Sequence, residues 1–177
     1  MREKTKKNLS GFTLIELMIS VAIISIMAGV TIVSLGGSKT KQEVEGATRQ
    51  VVAVIREAQN NAVTGKNISG VSTDRPCQFR VNAAGSSSDI TVQQIKSVSG
   101  VCDTDSGSAL TYSLLNGVTI AAAQVRFDVP RGEPKDSAGA ELIAGNIDFS
   151  VSKSGSTAHV CVYPLGRIME KRIGESC

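Results

Sequence analysis

Aromatic residues are scarce in this chain: four Phe, two Tyr and no Trp among 177 residues. A core built on large rings is therefore excluded, and packing must come from Val, Ile, Leu and Ala. Histidine occurs once, as His159, and none of the four cysteines stands in a C-x-x-C pair. No zinc ligand set is visible at such spacings, and no metal is expected. Proline is absent before Pro76, so nothing in that stretch fixes a break in a helix. A basic domain is missing too. The net charge of +3 is contained in residues 1–11, where Arg2, Lys4, Lys6 and Lys7 face only Glu3. The remaining fifteen basic and fifteen acidic residues balance, which gives no support to a nucleic-acid-binding surface.

What is present is strongly ordered along the chain. After the basic residues 1–11 comes Phe12 to Leu35, 24 residues with Glu16 as their single charge. As a helix this run would measure about 36 Å, enough to cross a bilayer core of about 30 Å. The leading cations would stay on the cytoplasmic side and the rest would face outwards. A cleaved secretory signal would have a shorter apolar core followed by small residues, whereas here Gly11 precedes the run. A plain signal anchor fits the length but leaves Glu16 unexplained. An acid at mid-bilayer costs about 2.5–3.5 kcal/mol, so it marks a function unless it snorkels at the interface.

Residues 36–65 change to an amphipathic pattern. Val44, Ala47, Val51, Val54, Ile55, Ala58 and Ala62 recur at spacings of three and four, with Lys41, Glu43, Glu45, Arg49, Arg56 and Glu57 between them. This is a helix packed on a sheet, with a stop at Gly65 and a kink or melted turn expected at Gly36-Gly37. From residue 66 to 177 the pattern is short β runs. They are 77–81, 90–98, 109–115, 118–121, 125–129, 147–151 and 159–163, with a last hairpin turned by Pro164-Leu165-Gly166. The fold class is α+β, a long N-terminal helix on a β-rich C-terminal head.

The cysteines Cys77, Cys102, Cys161 and Cys177 all lie in that head. An even count after an export-type segment points to one or two disulfides in an oxidising compartment. Four cysteines allow three connectivities. The sequence-local pairs Cys77–Cys102 and Cys161–Cys177 are favoured, against buried free thiols. The head offers little else. DTDSG at 103–107 lacks the ligands of a calcium loop, His159 reads as an ordinary strand side chain, and the serines have no base beside them. Neither an enzyme nor a cofactor is expected.

SGFTLIELMISVAIISIMAGV resembles the class III signal of type IV prepilins and type II secretion pseudopilins. The shared features are a short basic leader ending in Gly11, then Phe12, with Glu16 as the fifth residue of the mature chain. The resemblance implies cleavage after Gly11 by a prepilin peptidase and methylation of the new Phe12 amine. It also implies storage in inner-membrane lipid as a single-pass protein, with the N-terminus cytoplasmic and the head outside. An assembly platform would then extract the chain into a filament of pilin subunits. A buried carboxylate needs a partner, and the Phe12 amine of a neighbouring subunit can supply it. Such a pair would make Glu16 the residue that sets subunit register.

QVVAVIREAQNNAVTGKN, VRFDVPRGEP and VCVYPLGRI resemble elements of the GspH/FimT group of minor pilins and pseudopilins. Some members bind DNA through a terminal Gly-Arg-x-Arg stretch. Gly166 and Arg167 match it, but Met169 stands at the second arginine position. Lys171 and Arg172 lie nearby and Glu170 offsets them, so a solvated hairpin is the preferred reading.

Overall fold

The computed structural model describes residues 12–68, 75–98, 101–102 and 109–177. Helix α1 runs Leu14–Thr64, and the chain divides into two units after Lys39. The leader, Gly11 included, and the DTDSG stretch lie outside the described residues. No melted turn stands at Gly36-Gly37, because helical backbone continues through both. Each glycine costs about 1 kcal/mol relative to Ala, which cooperative propagation from both sides of a 51-residue helix can absorb.

The expected bilayer crossing over residues 12–35 is not supported. Among the described residues no helix is long and apolar enough to cross a membrane. The side chains of residues 30–36, which hold the end of that run, lie outside the described ones.

In the second unit, the helical stripe faces the core. Val44, Ala47, Val51, Val54, Ile55, Ala58 and Ala62 are all buried, while Glu45, Arg49, Arg56 and Glu57 are exposed. Thr48 joins the buried face by donating its hydroxyl proton to the Val44 carbonyl at 2.7 Å. The helix ends where Gly65 turns to φ +63° and the Lys66 N–H donates to the Asn61 carbonyl at 3.1 Å. A left-handed residue at this position is a frequent way to satisfy the last carbonyls.

Ten strands follow: β1 (Pro76–Ala83), β2 (Asp89–Val98), β3 (Val101–Cys102), β4 (Ala109–Ser113), β5 (Thr119–Ile120), β6 (Ala123–Asp128), β7 (Pro134–Lys135), β8 (Ile147–Lys153), β9 (Ser156–Val162) and β10 (Ile168–Lys171) among the described residues. One sheet has the order β3-β2-β1-β6-β7, with β4 also paired to β2. The other has the order β10-β9-β8-β5. Every pairing is antiparallel. The two-residue strands β3 and β7 are too short to leave a periodic trace in sequence.

The scarcity of rings does not keep them from the core. Phe79 stands opposite Phe127, and Phe149 opposite Val160, all four without solvent exposure. Three of the four phenylalanines thus sit at the centre, with Val81, Val125, Ile90 and Val151 around them. Truncating such a ring to Ala costs about 3–5 kcal/mol.

Polar pins tie the helix and the segment after it to the sheets. Gln94 is 1% exposed, accepts from the Ile68 N–H at 2.8 Å and donates to the Asn67 side chain at 3.1 Å. Tyr112 on β4 donates its hydroxyl proton to Glu57 on α1 at 3.3 Å. Burial, then the Glu57 charge and this hydrogen bond, raise the Tyr112 phenol above its usual 10.0. The link is therefore complete below that pH and is lost as the phenol ionises above it. Lys153 on β8 reaches Glu43 at 2.6 Å and also donates to the Asn116 carbonyl, joining the β8–β9 hairpin, the 115–117 turn and α1. Lys153→Met should lower stability by about 1–3 kcal/mol in urea unfolding, since it removes the cation beside a largely buried carboxylate. The Glu43→Gln/Lys153→Met double variant should lose less than the sum of the single losses, and strict additivity would contradict the pair.

Candidate functional site

The first turn of α1 is a capping box. The Glu16 N–H donates to Thr13 Oγ1 at 3.3 Å, and the Thr13 N–H donates to Glu16 Oε2 at 3.4 Å. The Thr13 hydroxyl also lies 3.4 Å from that carboxylate oxygen. This T-x-x-E arrangement satisfies orphan donors at a helix start and places a negative charge at its positive end. Sequence reasoning had a signal for it in the spacing of Thr13 and Glu16, yet it singled out Glu16 alone. The distances are long for hydrogen bonds, so Thr13 holds the carboxylate without saturating it.

Past that turn and as far as Gly29, the helix is apolar on every side. Phe12, Leu14, Ile15, Leu17, Met18, Ile19, Val21, Ile23, Ile24, Ile26 and Met27 are between 50% and 85% exposed. The two hydroxyls among them do not break the apolar surface. Ser20 Oγ donates to the Glu16 carbonyl at 2.7 Å and Ser25 Oγ to the Val21 carbonyl at 2.8 Å. Their protons are spent inside the helix. An amphipathic helix would have one face that wants water, and this one has none.

The C-terminal residues tell a different story. Gly166 sits at φ +80° with its carbonyl accepting from Gln59 Nε2 at 3.0 Å, and a Cβ there would collide with the same amide. Its presence beside Arg167 is thus explained by packing on α1. The Arg167 guanidinium lies over the Tyr163 ring, 4.6 Å from its centroid. Lys171 and Arg172 line a cavity of about 280 Å³ together with Arg49, Glu45 and Glu170. Arg49 and Glu170 approach to 3.9 Å across it. Acids are therefore interleaved with the cations of this patch.

The structure bonds Cys77 to Cys102 and Cys161 to Cys177, closing sequence separations of 25 and 16. It also gives His159 more company than a lone strand histidine. The His159 Nδ1–H donates to Asp148 Oδ2 at 2.8 Å, and Asp148, His159 and Cys177 bring one ligand atom each within 4.8 Å of one another. The sequence hid this cluster because Asp148 and Cys177 reach it from a neighbouring strand and the chain terminus.

The N-terminal geometry, all apolar with one acid held in the first turn, agrees with what comparison finds. Residues 6–32 match the prokaryotic N-terminal methylation motif. Through this segment the chain is similar to proteins that carry that motif. Two curated relatives, each a fimbrial protein of Pseudomonas aeruginosa, are 37% identical over 71 residues, or 40% of this chain and 46% of theirs. The chain thus matches about half the length of these relatives. No solved structure matches it.

The capping box has a measurable consequence. Thr13→Val should destabilise the first turn by about 0.5–2 kcal/mol. Faster amide exchange at Ile15 to Met18 in detergent micelles would show it, and unchanged exchange would contradict the box.

Proposed function

We propose that the chain is a structural subunit of a type IV pilus or of a type II secretion pseudopilus, in the role of a minor pilin or pseudopilin. The observation that carries this reading is the apolar surface on all sides of the Leu14–Met27 stretch, coinciding with the methylation motif at residues 6–32. Burying one such aliphatic side chain is worth about 1.5–3 kcal/mol. A helix with no polar face gains this only among other apolar surfaces. Neighbouring N-terminal helices provide them in a filament, and lipid of the cytoplasmic membrane provides them before assembly. The name shared by the relatives, fimbrial protein, supports the filament.

In this scheme the precursor is cut after Gly11 by a prepilin peptidase, and the new Phe12 amine is methylated. The amine carries a positive charge that the precursor lacks at that position. Inside a bundle of apolar helices it attracts the Glu16 carboxylate of an adjacent subunit, and any other register leaves both charges unpaired in a low dielectric. Thr13 is the carboxylate's partner before that exchange. An assembly platform in the membrane then feeds subunits into the filament. The role is architectural and calls for no catalysis by this chain.

A filament-borne DNA receptor is the competing reading. Glu45 and Glu170 among Arg49, Lys171 and Arg172 weigh against it, because phosphate binding needs cations in clusters. The processing step distinguishes the pilin reading from a plain membrane anchor. Gly11→Val should block maturation, seen by N-terminal mass analysis as retention of residues 1–11. A mature chain that still begins at methylated Phe12 would overturn it.

A further inference from the structure

The outer face of the second sheet gathers polar and sulfur side chains around the disulfide that holds the C-terminal tail. Along β9 the core takes Ala158, Val160 and Val162, which leaves His159 and Cys161 on the opposite face. Ser150 and Asp148 on β8 stand opposite them, His159 with Ser150 and Cys161 with Asp148. The C-terminal tail crosses this face and returns Cys177 to Cys161. One ligand atom each of Asp148, His159 and Cys177 then lies within 4.8 Å of the others.

The imidazole is oriented as well as close. Its Nδ1–H donates to the two Asp148 oxygens at 2.8 and 3.0 Å, with Ser150 Oγ 3.0 Å from the same nitrogen. Ser150 Oγ in turn donates to Asp148 Oδ2 at 3.2 Å. With the ring proton on Nε2 instead, the Nδ1 lone pair faces the Asp148 oxygens, and a cation can take the place of the shared proton between them. Sulfur, imidazole nitrogen and carboxylate oxygen are the donors that zinc-class cations prefer.

We infer that the dithiol form of this corner is a metal site. When the Cys161–Cys177 bond is reduced, the two sulfurs, His159 and Asp148 hold one zinc-class divalent cation, which replaces the disulfide as the staple of the C-terminal tail. Reduction by a dithiol delivers two electrons and two protons to the S–S bond, leaves two thiols and converts the dithiol to its own disulfide. Cation binding then releases both thiol protons to solvent, since thiolates are the ligands. In a tetrahedral site with bonds of about 2.2 Å, ligand atoms stand about 3.6 Å apart. The observed spacing within 4.8 Å thus needs a contraction of about 1 Å, within reach of side-chain rotation. In the oxidised form neither sulfur is anionic, and the cation and the disulfide exclude each other. Lys171 stands opposite His159 across β9 and β10, and its charge opposes the cation.

The test uses the full chain and Co²⁺ alone, read by the visible bands of a tetrahedral thiolate complex. The reduced chain should bind one Co²⁺ and the oxidised chain none. His159→Gln and Cys177→Ser should each weaken uptake at least tenfold, the scale of losing a ligand or its support. Lys171→Ala should tighten uptake, and the Cys77→Ser/Cys102→Ser double variant should keep it. If the reduced chain unfolds without metal, Co²⁺ should restore its far-ultraviolet β signal. The inference is overturned by absence of both uptake and refolding, by His159→Gln binding as tightly as the parent, or by uptake that follows Cys77 and Cys102.

Discussion

A helix that is apolar on every side cannot be satisfied by its own chain in water. From Phe12 to Met27 the large side chains remain half to mostly exposed, and the serine hydroxyls turn back onto the helix's own carbonyls. The segment therefore depends on apolar surface from outside. The one group that resists such surroundings is Glu16, and the capping box with Thr13 gives it a local place at the helix start. That place is weakly bonded. A carboxylate so held can be drawn to a stronger partner when apolar surroundings remove the competition of water.

The second unit has the opposite character. Its helical stripe, its two sheets and three phenylalanines close a core of their own, and the polar side chains within it have specific tasks. Gln94 fixes the segment after the helix to β2, while Lys153 fixes a hairpin and a turn to Glu43. The tail is held by a covalent bond in place of hydrophobic area, since Gly174, Glu175 and Ser176 before Cys177 are exposed. Closing a loop of this length stabilises by about 3 kcal/mol in the chain-entropy account. The neighbouring imidazole and carboxylate give the same tail a second chemical option.

Much of this was legible in sequence, and the limits have physical causes. The stripe from Val44 to Ala62 is buried as its periodicity indicates, because a 3.6-residue repeat directly records which face meets a sheet. The main strands lie where alternating apolar runs place them, whereas β3 and β7 have too few residues to show a pattern. The double glycine does not melt the helix, since propensity weighs each residue alone and helix propagation is cooperative. The low ring count misled: three rings suffice for a core when all three are central. At the candidate site, Glu16 was visible as an anomaly and Thr13 was overlooked, although the pair forms a recognisable cap. The cluster around His159 was illegible, because strand register and tail return bring Asp148 and Cys177 from 11 residues before and 18 after it.

The central claim is that the carboxylate of Glu16 serves assembly and is dispensable for folding and processing. Quantifying Glu16→Ala in purified filaments, against the mature protein left in the membrane fraction, tests this most directly. The account predicts that Glu16→Ala is cleaved and methylated like the parent but is depleted from filaments by about tenfold or more, the scale of losing one buried ionic partner at about 1.4 kcal/mol or above. Equal incorporation of Glu16→Ala and the parent would contradict it, and would leave Glu16 as a helix cap alone.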